Sequence, residues 1–84
     1  MPRKNIIGPR ICEARKKAHV TQMELAGQLQ LLGLKIDRSS IAKIETGRRP
    51  VSDVEVAAIA RVLKVPITWL FEESDDLLES MKNQ

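Results

Sequence analysis

The sequence predicts an all-α fold of five short helices, and two observations carry that prediction. Apolar residues recur at spacings of three and four, and almost no alternating β-branched run bounded by turns is present. The periodic stretches are also cut by strong helix start and stop signals, among them two capping boxes and two well-placed glycines.

Met1 to Asn5 is basic and without periodicity, so residues 1–7 read as an N-terminal arm expected to be mobile. Gly8-Pro9 opens the first helix, because proline is tolerated where its missing N–H would have had no partner. Ile11, Ala14 and Ala18 mark its apolar face, and Ile7 is placed to staple onto Cys12. A second helix starts at Thr21, which forms a capping box with Glu24, and runs to about Leu32 before Gly33 stops it. Leu34, Lys35 and Ile36 make a connector ending in Asp37, a good cap for a third helix over Arg38 to Thr46 that Gly47 ends.

Arg48-Arg49-Pro50 is a loop, and Ser52 with Glu55 makes the second capping box. The fourth helix then carries Val56, Ile59, Ala60 and Leu63 on one stripe. Pro66 opens a short fifth helix holding Trp69 and Leu70, where a large apolar residue either caps the core or seats a partner. The domain is read over 8–73, followed by an acidic tail over 74–84, in which Asp75 to Met81 adds a last helical turn or frays.

At 84 residues the chain has room for one hydrophobic core, with no signal peptide or long apolar run, so it reads as cytoplasmic and without a membrane span. The single cysteine, Cys12, cannot form an intramolecular disulfide and is read as a small buried apolar residue. One cysteine and one histidine argue against a metal site, and His19 fits the favourable dipole at the end of the first helix. No paired carboxylates, Ser/His/Asp or Cys/His set or glycine-rich phosphate loop is present, so no enzyme and no cofactor are expected.

The net charge of +3 hides an asymmetry. Residues 1–50 carry eleven Lys or Arg against four Asp or Glu, while residues 51–84 carry three against seven. One half of the chain therefore suits a polyanion and the other would be repelled by it, although an uneven solvated surface has the same composition.

Projecting the third helix at 100° per residue sets Ile41 and Ile44 on one face. Ser39, Ala42, Lys43 and Thr46 fall on the other, with Arg38 at the N-terminal flank. Short polar groups with two cations suit close approach to base edges in a major groove, and an ordinary amphipathic surface helix would share the pattern. Glu45 projects toward the core side, and Arg15 lies in the apolar face of the first helix. An unpartnered buried carboxylate is costly, so one Arg15–Glu45 pair locking the two helices is the economical solution.

The segments ARKKAHVTQMELAGQL, RSSIAKIETGRRPVS and IARVLKVPITWLF occur in order between Ile11 and Phe71. Together they resemble the lambdoid phage repressor and Cro-like helix-turn-helix family, also called the xenobiotic response element family. The resemblance implies a five-helix repressor-like domain with the third helix in the major groove and the second across the backbone. It places base reading on Arg38, Ser39 and Lys43, and phosphate contacts on Gln22, Thr46, Arg48 and Arg49. Arg15 and Glu45 coincide with the family's interhelical ion pair.

The implied function is a sequence-specific regulator of transcription, a repressor before an activator, binding duplex DNA as a homodimer on a pseudo-palindromic site in the bacterial nucleoid, with no small-molecule domain. Leu77, Leu78 and Met81 are candidates for part of the dimer contact. The alternative is an antitoxin-like or adaptor module that holds a protein partner through the acidic tail. One departure from the family is plain: QLLGLKID makes the turn before Arg38 about five residues longer than usual. That extended turn puts the docking angle in question, and Leu31, Leu32 and Leu34 within it are expected in a core or an interface.

Overall fold

The computed structural model describes residues 2–72, and within them the chain forms five helices and no strand. These are α1 (Gly8–Lys17), α2 (Gln22–Leu31), α3 (Arg38–Glu45), α4 (Asp53–Leu63) and α5 (Ile67–Leu70). The tail expected over 74–84, with Leu77, Leu78 and Met81, lies outside the described residues.

Three helix starts follow from local side-chain chemistry. The Thr21 hydroxyl accepts from the Glu24 N–H (3.0 Å) while the Glu24 carboxylate accepts from the Thr21 N–H (2.9 Å). Ser52 and Glu55 make the same reciprocal pair at 3.2 and 2.9 Å. Asp37 accepts from the Ser40 N–H at 2.8 Å, which holds its carboxyl below the usual aspartate range. Each contact gives a partner to an N–H that the helix cannot satisfy itself.

The helix ends share one device. After α1, α2, α3 and α4 the chain turns through a left-handed residue, namely His19, Gly33, Gly47 and Lys64. In each case the next N–H reaches back five residues: Val20 to Arg15, Leu34 to Leu29, Arg48 to Lys43 and Val65 to Ala60, all at 2.8–3.1 Å. This is the Schellman closure. His19, expected beside the end of the first helix, takes the left-handed position of this closure. Ala18 caps α1 and is exposed rather than part of its apolar face, and Thr46 caps α3 rather than ending it.

The core is aliphatic. Ile7, Ile11, Leu25, Leu29, Ile41, Ile44, Ile59 and Leu70 are fully buried, joined by the expected α4 stripe of Val56, Ala60 and Leu63. Burying one such side chain is favourable by about 1.5–3 kcal/mol, and this term holds helices too short to persist alone. α3 packs against both α1 and α2, while α4 lies against α1 and α2 and carries α5. Trp69 packs against the core with the Arg10 guanidinium 3.5 Å above its ring, and Arg10 also donates to the Trp69 carbonyl. Cys12 is half-buried instead of buried.

The extended connector, residues 32–37, does not lengthen α2. Leu31 is 86 % exposed and Leu32 is exposed too, which removes the core from the two roles expected for them, a core or an interface, while Leu34 packs partly on the core. Ile36 is the residue that anchors the segment: its side chain is buried, and its carbonyl accepts from the Gln30 amide at 2.9 Å. The added residues therefore bulge outward while the entry to α3 stays fixed.

Candidate nucleic-acid interface

α3 presents two faces of opposite character. Ile41 and Ile44 are fully buried, while Arg38, Ser39, Lys43 and Thr46 are exposed and Ala42 is half-exposed between them. The side chains of Arg38, Ser39 and Lys43 have no hydrogen-bond or ion-pair partner among the described residues. Two free cations and two small side chains on one accessible stripe can reach into a groove and donate to acceptors such as guanine O6 and N7.

The base of α3 is locked as the periodicity predicts. Arg15 Nε donates to one Glu45 oxygen at 2.7 Å and Nη2 to the other at 3.1 Å, with the two side chains only 12 % and 6 % exposed. Arg15 also donates to the Val20 carbonyl at 2.9 Å. Burial pushes the Glu45 carboxyl up, but hydrogen bonds from Arg15 and Gln22 outweigh it and hold the group below its ordinary range. The Gln22 amide donates to Glu45 at 3.1 Å, a link between α2 and α3 that the sequence does not announce. Gln22, Arg38, Arg15, Thr21 and Met23 line an open depression between the starts of α2 and α3.

Beyond α3 the expected phosphate residues separate. Thr46 donates its hydroxyl to the Ala42 carbonyl (3.0 Å) and accepts from Arg48 Nε (3.2 Å), which orients the exposed Arg48. Arg49 is turned the other way, into a two-pronged pair with Glu55 at 3.0 and 2.8 Å. Its hydrogen bonds hold the Glu55 carboxyl low against the opposing effect of burial. Glu55 thus serves the capping box of α4 and the loop before it at once.

The N-terminal segment contributes what sequence reasoning missed. Rather than forming a loose arm, it is bonded to the end of α3. The Asn5 amide donates to the carbonyls of Ile44 (2.9 Å) and Arg49 (2.8 Å), and its oxygen accepts from the Gly8 N–H (2.7 Å). Arg3 donates to the Glu45 carbonyl at 3.2 Å, and the Lys4 N–H to that of Gly47 at 2.8 Å. Gly8 permits this closeness, since a methyl group there would collide with the Ile44 carbonyl. The only local signal was Asn5 standing three residues before a helix start, a position from which its side chain can cap.

An amphipathic helix fixed on its buried side, preceded by a second helix whose start lies beside its own, is the helix-turn-helix arrangement of DNA-binding domains. A family model described as helix-turn-helix matches residues 13–70. The chain belongs to that family, the Cro-like helix-turn-helix proteins, in which duplex DNA is bound for transcription regulation. No curated protein and no solved structure matches the chain. Among the described residues no helix is long and apolar enough to cross a membrane.

Proposed function

We propose that the protein is a sequence-specific regulator of transcription, acting as a repressor, in which α3 enters the major groove of duplex DNA. The observation that carries this reading is the free stripe of Arg38, Ser39 and Lys43 on a helix whose opposite face is fully buried. In this proposal those three residues read base edges, while Gln22, Thr46 and Arg48 hold backbone phosphates. Arg49 stands with them in the family pattern, and its pair with Glu55 supports a role in holding the loop rather than a free charge offered to DNA.

Two copies are proposed to bind a pseudo-palindrome in the bacterial cytoplasm, with half-site centres about 34 Å apart, one turn of the duplex. The test is selection of bound sequences from a randomised duplex library. A two-fold symmetric consensus is expected, and Arg38→Ala should relax preference at one base position by about 1–3 kcal/mol. Recovery of no consensus at all would sink the reading, and a uniform loss across sequences would move Arg38 from base to phosphate.

A further inference from the structure

We propose that the N-terminal segment is part of the DNA-binding surface, with Lys4 joining Arg48 to hold a backbone phosphate beyond the end of α3. This rests on the function proposed above and adds a contact to it. Three features of the structure place the site.

The first is position. Arg48 sits one turn past Lys43, its N–H bonded to the Lys43 carbonyl at 2.8 Å, and Lys4 sits beside Arg48 through its own bond to the Gly47 carbonyl, also at 2.8 Å. The backbone therefore sets Lys43, Arg48 and Lys4 in sequence along one end of the recognition helix. All three side chains are exposed.

The second is charge. A pocket of about 250 Å³ is lined by Pro2, Arg3, Lys4, Thr46, Gly47 and Arg48, with no acidic side chain among them. Neither the Lys4 ammonium nor the outer nitrogens of Arg48 have a partner among the described residues, whereas Arg49 is offset by Glu55. The cation that the loop sequence offered at 49 is thus supplied from position 4.

The third is the helix end itself. The C-terminus of a helix carries roughly half a negative charge on its free carbonyls, which would repel a phosphate. Here Arg3 donates to the Glu45 carbonyl, and Asn5 adds a second donor to the Ile44 carbonyl, which already accepts from the Gly47 N–H. The arm weakens the repulsion with two residues and adds the attraction with a third.

The experiment compares the full-length protein with Lys4→Ala and Lys4→Arg on one duplex, recording affinity between 50 and 200 mM salt and the unfolding temperature of each. Each phosphate contact contributes about 0.9 to the slope of log affinity against log salt, so the advantage of the parent over Lys4→Ala should shrink about threefold across that range. Lys4→Arg should keep the parent slope, and all three proteins should unfold together because the backbone bond to Gly47 is retained. A parent that binds with Lys4→Ala showing an unchanged slope overturns the contact alone. A parent with no salt-dependent duplex binding overturns the function on which it rests.

Discussion

Replacing Glu45 with leucine isolates the contact that fixes α3 to the body of the domain. The carboxylate accepts three hydrogen bonds, two from Arg15 and one from Gln22, and both charged side chains are almost fully enclosed. Without Glu45 the Arg15 guanidinium keeps one strong partner, the Val20 carbonyl, and stays within the fold. Breaking a buried pair from one side costs about 3–5 kcal/mol, because the surviving charge is uncompensated. A domain of this length has a total stability on the order of 4–12 kcal/mol, so the single variant should lose a large share of it. At about 4–8 °C per kcal/mol, the unfolding midpoint should fall by at least about 12 °C. Arg15→Met alone should cost a similar amount. The double variant Arg15→Met/Glu45→Leu should be more stable than either single one, since two apolar chains of similar volume replace two desolvated charges. Urea unfolding followed by circular dichroism gives all four corners of the cycle. Single losses below about 1 kcal/mol that simply add would refute the buried-pair reasoning.

Acid should weaken the fold through Glu45 and Glu55. Both carboxyls are held below the 4.5 of the unfolded chain, so their contribution is complete above that pH and is lost as pH falls through their folded values. The unfolding midpoint should be level from pH 7 to 5.5 and fall below pH 4.5, and a Glu45→Gln variant should show a shallower fall; an equally steep one would remove Glu45 from the account. His19→Gly and Lys64→Gly should each stabilise by about 1 kcal/mol, because a left-handed residue other than glycine carries a steric cost. Calorimetry showing a loss at both positions would mean that their side chains contribute more than the backbone strain removes. Gly8→Ala should lower stability by about 1–3 kcal/mol through the clash with the Ile44 carbonyl, and unchanged thermal unfolding would show that the junction yields freely.

What the sequence made legible was chemistry confined to a few neighbouring residues. Thr21 with Glu24, Ser52 with Glu55 and Asp37 before α3 are complete instructions within one turn of chain, and the structure follows each of them. The Arg15–Glu45 pair was legible for a different reason: two charged side chains on two buried faces leave few solutions. Legibility failed where one residue had competing partners far away. Asn5 bonds to carbonyls 39 and 44 positions along the chain, a relation that no local pattern encodes. The family resemblance groups Arg49 with Arg48 as a phosphate contact, and it carries no information about Glu55. Glu55, already committed to its capping box, still had an oxygen free to draw Arg49 inward. His19 and Lys64 close their helices without the glycine that normally marks such a position in a sequence. Leu31 and Leu32 lie outside the core, and hydrophobicity alone does not say which side of a bulge a residue occupies.

The attachment of α3 at both ends bears on the thermodynamics of docking. At its start, buried Ile36 and the Gln30 bond fix the connector, and at its close Asn5, Arg3 and the bare Cα of Gly8 hold it against α1. Backbone order in this element is established on folding, so a partner meets a preformed rod and association proceeds as the meeting of rigid bodies. The ordering that remains is confined to long side chains such as Arg38, Lys43 and Arg48, at about 0.5–1.5 kcal/mol each. The heat-capacity change of binding should then match the surface covered, with no added contribution from coupled folding of α3.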